Sequence, residues 1–249
     1  MIIDRNISDI LKQGTFDRWN KYYLPNIKLD RKDYLKCNDV LTSLWFVWNK
    51  KEKAHITDQE IDWLQEDLNE ILENGEVMTI KEYRDKFQAF YTPKSIASRM
   101  CELLEIKENQ TILEPSAWIW NIVKVLLDEY VKEFKLFVNE IDKNKIKELE
   151  KIKWIDWEII NKDFLDFIWV MEYDRIILNP PYSKNQSIKH ILKAYSLLKE
   201  WWILVWLVPS NFLDKYSEEL QDIPYSYYEV EDGQFEFTNI KTIILKINK

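Results

Sequence analysis

The tetrapeptide Asn179-Pro180-Pro181-Tyr182 holds the residue types best suited to chemistry, and it closes the apolar run Tyr173-Asp-Arg-Ile-Ile-Leu178. An Ile-rich run of that length stopped by two prolines reads as a buried strand that opens into a loop at the carboxyl edge of a sheet. In open α/β sheets, ligands bind at that edge. Prolines donate no backbone hydrogen bond, so the turn presents mainly acceptors: the Asn179 side-chain oxygen and the Pro180 carbonyl. Two acceptors could hold the two hydrogens of an exocyclic amine and aim its lone pair at a methyl donor. Tyr182 offers a flat face on which a base could stack. For the tetrapeptide taken alone, a proline-stopped strand with an ordinary Asn turn is the plainer alternative.

The elements that must position this turn follow a regular alternation. Tyr91-Thr92-Pro93 leads into a helix over 95–104, with Pro93 near its first turn. Thr111-Ile-Leu113 reads as a strand, and Glu114-Pro-Ser116-Ala117-Trp118-Ile-Trp120-Asn121 turns it into a helix from Ile122 to Glu133. A second strand, Leu136 to Val138, ends at Asn139-Glu140, followed by a helix from Lys143 to Glu150. Glu140 stands 20 residues beyond position 120, the offset at which an acid binds ribose hydroxyls in the dinucleotide fold. The strand Glu158-Ile-Ile160 leads to Asp163-Phe164, and a fourth strand ends in the Asn179 turn. A helix from Ser187 to Leu198, a strand from Ile203 to Val208, and two final strands, Tyr225 to Val230 and Thr242 to Ile247, complete the pattern. It predicts an α/β, Rossmann-like fold with a mostly parallel seven-stranded sheet covered on both faces.

Residues 1–80 read as a separate, small, mainly helical appendage with a short extended stretch, and 81–249 as the main domain. Asp58 is placed to cap a helix through Ile61, Leu64, Leu68, Ile71 and Leu72, which ends before Asn74-Gly75. No stretch approaches about 18 uninterrupted apolar residues and the N-terminus lacks a signal-peptide layout, so a soluble, cytoplasmic protein without membrane contact is expected. Cys37 and Cys101 lack metal-ligand spacing, and with two histidines no metal site is expected. The net charge of −8 leaves room only for a local basic strip on nucleic acid, with Lys50-Lys51-Glu52-Lys53 and Lys28 to Lys32 as candidates.

Glycine occurs three times and tryptophan twelve times in 249 residues, where about 7% glycine is usual. The tryptophans also stand where glycine belongs. Trp118 and Trp120 fall in a tight strand-to-helix turn, and Trp201-Trp202 at an expected helix C-cap before the Ile203 strand. Translation of UGA as tryptophan, from a genome that reads it as glycine, accounts for both counts. Positions 118, 120, 201, 202 and 206 are the clearest cases. With glycine at 118 and 120 the turn becomes a loop whose backbone can approach a nucleotide closely.

Residues 81–249 resemble the S-adenosylmethionine-dependent N6-adenine DNA methyltransferases. The likeness rests on Phe90-Tyr-Thr-Pro93, Glu114-Pro-Ser-Ala117, Glu140, Asp163-Phe164 and Asn179-Pro-Pro-Tyr182, in that order. The front segment is similar to that of compact phage- and plasmid-type members, through Leu24-Pro25, Leu44-Trp45, Trp48-Asn-Lys-Lys51 and His55. That comparison makes Trp48 a true tryptophan and places Trp19 and Trp45 at family glycines. The resemblance implies S-adenosyl-L-methionine as cofactor and DNA as partner. Tyr91, Thr92 and Pro93 would line its methionine end, and Glu114 with Ser116, Ala117, Trp118, Trp120 and Asn121 would wrap it. Glu140 would take the ribose hydroxyls, while Asp163 and Phe164 would hold and flank its adenine. Asn179, Pro180 and Pro181 would form the catalytic turn, with Tyr182 and Phe235 against a flipped base.

The sequence as given ends at the last expected strand, so the C-terminal target-recognition domain of larger relatives is not expected. Three other readings share these residues: methylation of a protein glutamine amide, as in the release-factor enzymes; methylation of an RNA base; and an inactive methyltransferase fold retained as a binding module.

Overall fold

The computed structural model describes every residue except 18–19, 58–60, 78, 80–81, 83–91, 118–120, 131–133, 151–156, 169, 183–184 and 231–240. The chain forms two compact units, Met1–Phe87 and Gln88–Lys249.

The first unit runs α1 (Arg5–Lys12), β1 (Thr15–Phe16), β2 (Lys21–Tyr23), α2 (Arg31–Ser43), β3 (Val47–Asn49), β4 (Ala54–Ile56) and α3 (Ile61–Asn74). Asp4 and Asp30 cap α1 and α2, accepting from the backbone N–H of Ile7 and Asp33, which satisfies donors that a helix start leaves orphaned. The four short strands pair antiparallel in the order β1-β2-β4-β3, more extended structure than one stretch. Ile7, Leu11, Tyr22, Val40, Leu41, Phe46 and Leu68 fill the core between sheet and helices. His55 is fully buried, its Nε2 lies 3.2 Å from Asn38 Oδ1, and burial pulls its pKa down to about 4. It is a packed, neutral imidazole. Asp58 lies outside the described residues.

The second unit carries α4 (Lys94–Leu104), β5 (Thr111–Glu114), α5 (Asn121–Glu129), β6 (Lys135–Asn139), α6 (Lys143–Glu150), β7 (Trp157–Ile160) and β8 (Tyr173–Leu178). There follow α7 (Gln186–Ser196), β9 (Leu198–Pro209), α8 (Phe212–Lys215), α9 (Ser217–Leu220), β10 (Tyr225–Glu229) and β11 (Thr242–Asn248). The seven strands lie in the order β10-β11-β9-β8-β5-β6-β7, as expected for a mostly parallel sheet. Within these seven strands, β11 runs opposite to the other six, antiparallel to both β9 and β10. Alternate residues feed two apolar clusters, one per face. Ile177 joins Ile112, Val138 and Val205 with the buried sides of α4 and α5, whereas Ile176 and Leu178 join Leu113, Phe137, Leu204 and α7.

All six residues of β8 are buried, including Asp174 and Arg175. Both charges are satisfied. Asp174 accepts from the Thr111 backbone N–H and hydroxyl and from Lys199. Arg175 donates to the carbonyls of Leu104 and Glu105 at the end of α4. These bonds tie down the amino ends of the strands, opposite the loops that carry the candidate site.

Two boundaries differ from the sequence reading: α5 ends at Glu129 instead of Glu133, and the change from α7 to β9 comes earlier than expected. α7 ends at Ser196 and β9 starts at Leu198, so Trp201 and Trp202 lie inside a strand instead of at a helix C-cap. The register jumps there, from Tyr173↔Leu198 to Arg175↔Ile203, and Trp201 takes a left-handed φ of 69° in the irregular stretch. Among the described residues no helix is long and apolar enough to cross a membrane, and no group of three potential metal ligands exists.

Candidate functional site

The strand order turns back at β5, with β6 on one side and β8 on the other. Such a switch point leaves a crevice beyond the carboxyl ends of the two strands. Glu114 is the last residue of β5, and Asn179 follows the last residue of β8. The register Leu113↔Ile176 sets these two ends side by side.

Glu114 is 1% exposed, and its Oε1 accepts the Ser116 backbone N–H at 3.2 Å. Its Oε2 and the Ser116 hydroxyl are buried without a hydrogen-bond partner among the described residues. Polar atoms left that way cost about 1–3 kcal/mol each, so the loop is built to meet a ligand or water. Burial pushes the Glu114 carboxyl well above the usual range, and the charge of Glu140 adds to the effect. Glu140, just beyond β6, is pushed up to about 7, chiefly by burial and against the backbone N–H of Asp142 that it accepts at 2.7 Å. A ligand offering positive charge or hydroxyl donors would draw both carboxyls into their ionised form.

Two asparagines lace the loops together. Asn139, the last residue of β6 and 2% exposed, donates its side-chain amide to Pro115 O at 2.9 Å and Lys162 O at 3.1 Å. Its side-chain oxygen accepts Lys162 N at 3.2 Å, and its backbone carbonyl accepts Ala117 N at 3.0 Å. Asn161 reaches back from the end of β7 to the carbonyls of Glu140, at 2.7 Å, and Ile141, at 3.1 Å. The loops after β5, β6 and β7 therefore form one hydrogen-bonded rim.

A second set holds the Asn-Pro-Pro-Tyr turn. Asn179 Nδ2 donates to Thr92 Oγ1 at 2.9 Å, and Asn121 Nδ2, at the start of α5, donates to Thr92 O at 2.8 Å. The Tyr182 hydroxyl donates to Asn179 Oδ1 at 2.6 Å and lies 3.3 Å from Leu207 O. Burial raises the Tyr182 hydroxyl pKa, so it stays protonated and remains a donor. Pro180 is buried, and Pro181 and Tyr182 are half-buried. Pro93 caps α4, its carbonyl accepting the N–H of Ile96 and Ala97.

The structure thus gathers Thr92, Pro93, Glu114, Ser116, Ala117, Asn121, Glu140 and Asn179 to Tyr182 around one sheet edge. Asp163 is exposed, and its carboxylate accepts the Leu165 N–H at 2.9 Å as the cap of a short turn. Phe164, beside it, is a buried ring. It is 3% exposed and packs against His190, 5.4 Å between ring centroids, under Lys193 Nζ. Tyr91, Trp118, Trp120 and Phe235 lie outside the described residues. Sequence reasoning missed Asn139 and Asn161 as rim residues; their signal was a carboxamide one or two residues ahead of an acid at a strand end.

No family model matches the chain. Type II methyltransferase M.AccI of Acinetobacter calcoaceticus is 36% identical over 118 residues, 45% of this chain and 22% of that protein. The chain therefore spans about a fifth of that relative's length. A protein described as a class I S-adenosylmethionine-dependent methyltransferase from Listeria monocytogenes superposes with a TM-score of 0.53 at 16% identity, covering 98% of this chain and 84% of that one. The fold is that of the Rossmann-like methyltransferases. A SAM-dependent O-methyltransferase of Thermotoga maritima gives 0.51 at 16% identity over 73% of this chain and 82% of that one. A dimethyladenosine transferase of Plasmodium falciparum gives 0.51 at 19% identity over 64% and 63%. Within this methyltransferase fold, β11 is the reversed strand and the rim of asparagine-laced loops surrounds the switch point.

Proposed function

We propose that the second unit is an S-adenosylmethionine-dependent methyltransferase acting on the exocyclic N6 of an adenine flipped out of DNA. The observation that carries this reading is the juxtaposition of the Asn179-Pro-Pro-Tyr182 turn with the unpartnered, buried Glu114 Oε2 and Ser116 Oγ at one switch point. The donor set fits the cofactor: its ammonium, sulfonium and ribose hydroxyls are cationic or donating, and Glu114, Glu140 and Asp163 are acids in three adjoining loops. When bound, it supplies an activated methyl group. Part-length identity to a Type II methyltransferase and the ordered segments from Tyr91 to Tyr182 favour DNA over the other substrates.

In this mechanism Asn179 Oδ1 and the Pro180 carbonyl accept the two amine hydrogens and turn the nitrogen lone pair toward the donor. The Tyr182 hydroxyl, which donates to the same Asn179 oxygen, must share or yield it when the amine arrives. The Tyr182 ring then stacks on the base and offsets part of the few kcal/mol that flipping costs. Incubation with methyl-tritiated cofactor and DNA, RNA or a release factor tests the assignment. Label in N6-methyladenine of DNA is expected. Label confined to RNA or to a glutamine would overturn the substrate, and no label in any arm would favour the inactive binding module.

We also infer that several tryptophans are glycine in the cell. Trp45 has a φ of 66°. Its N–H bonds Thr42 O, and the next N–H, of Phe46, bonds Leu41 O. That is the Schellman ending of α2, with Trp45 at the left-handed position glycine usually fills. Trp201 takes a φ of 69°. Trp206 is fully buried in β9 with its indole N–H unpartnered among the described residues. Left-handed backbone costs a residue with a side chain about 1–2 kcal/mol, and three mismatches of one residue type favour a shared translational cause.

A further inference from the structure

We infer that Asn139 is a positioning residue for the methyl donor, acting through the loops it joins, an inference that rests on the cofactor reading above. Its four hydrogen bonds connect the two loops that neighbour it on either side. The side-chain amide holds Pro115 O, the carbonyl behind Ser116, and Lys162 O, the carbonyl behind Asp163. The side-chain oxygen holds Lys162 N and the backbone oxygen holds Ala117 N. Asn139 touches none of the atoms expected to react. It fixes where the residues that would wrap the cofactor begin.

The chemistry of the carboxamide is specific to this task. Two carbonyls must be bonded by one donor group while one N–H is bonded by an acceptor on the same side chain. Of the neutral side chains this short, only Asn offers both. A serine hydroxyl has one hydrogen and cannot serve two carbonyls fully. An aspartate keeps the acceptor but turns a charged oxygen toward two carbonyls, close to Glu114 and Glu140. Asn161 continues the lace from the opposite loop by holding the carbonyls of Glu140 and Ile141, so each of the three loops is held by a neighbour. Lost bonds at Asn139 let the β5 and β7 loops separate, and Glu114, Ser116 and Asp163 lose their common register.

The test compares Asn139→Ala, Asn139→Asp and Asn161→Ala with Thr111→Val, which removes a half-buried hydroxyl bond to Asp174 at the opposite end of β5. Calorimetric titration of S-adenosylmethionine, thermal melting, and kcat at saturating cofactor are measured on each full-length protein. Cofactor affinity is expected to fall about tenfold or more in the asparagine variants, the net worth of one or two buried hydrogen bonds. kcat at saturation should stay near that of the parent, and Thr111→Val should lower the melting point without weakening binding. Unchanged affinity in folded Asn139 variants overturns the inference, as does affinity that falls only in step with melting point across all four proteins. Should neither Asn139 variant fold, Asn161→Ala decides, because its residue is less buried and its bonds meet the same rim. A parent protein that binds no S-adenosylmethionine refutes the cofactor reading, an outcome distinct from equal binding by parent and variants.

Discussion

Asn179 donates its side-chain amide to the Thr92 hydroxyl at 2.9 Å across 87 residues of chain. A carboxamide can rotate end for end, and an acceptor on one side decides which end faces the substrate. With nitrogen on Thr92, the oxygen faces the mouth of the turn and the Tyr182 hydroxyl. Thr92 is thus an orienting residue for the proposed amine acceptor, and it is held in turn by Asn121.

Thr92→Val keeps the shape and removes that acceptor. We expect kcat to fall about tenfold, from the loss of about 1–2 kcal/mol of orientation, with little change in cofactor affinity. Single-turnover methyl transfer measures it. A normal rate would mean that Asn179 is oriented by other contacts.

Asn179→Ala should nearly abolish transfer and leave S-adenosylmethionine binding largely intact. Tyr182→Ala should cost about 1–3 kcal/mol through lost stacking, while Tyr182→Phe keeps the ring and removes the hydroxyl with its bonds to Asn179 and to Leu207 O. Calorimetry and rate measurement separate the two effects. Cofactor affinity collapsing in Asn179→Ala with turnover unchanged would show that the residue serves the cofactor instead.

Glu140 makes binding and stability depend on pH in opposite directions. Its pKa is raised by burial from 4.5 to about 7, so between those values the unfolded chain has already released the proton that the folded chain keeps. The native state therefore loses up to about 3 kcal/mol of stability as pH rises across that window. Ribose hydroxyls donate to the ionised carboxylate, so cofactor affinity should rise as pH passes about 7. Glu140→Gln should flatten both profiles and raise the cofactor KM more than it lowers kcat. Urea melts and titrations at a series of pH values would show it, and a KM equal to the parent's would remove Glu140 from the site.

Trp45→Gly and Trp201→Gly should each stabilise the protein by about 1–2 kcal/mol, since each relieves a left-handed φ. Denaturant midpoints give the comparison. The corresponding codons provide a separate check: UGA at both, in a genome that decodes it as glycine, is expected, and UGG would defeat the translational explanation.

The strand and helix alternation after residue 90 and the placing of Glu114, Glu140 and Asn179 at strand ends were written in the sequence, because burial on both faces demands apolar runs and prolines stop them locally. The Asp30 cap that starts α2 is local as well, whereas His55 is kept uncharged by burial, which only the folded unit supplies. What the tertiary structure decided is who bonds to whom. Thr92 reads in sequence as the start of a helix and becomes the shared partner of Asn121 and Asn179. Asn139 reads as the end of a strand and becomes the tie between two loops. Phe164 reads as an aromatic at a strand end, and the structure adds its packing against His190 under Lys193, because periodicity cannot say which neighbour closes over a side chain. The four short strands of the first unit were illegible for a related reason. Strands of two or three residues are too short to display an alternation, and the two hairpins become one sheet only where the distant β2 and β4 pair.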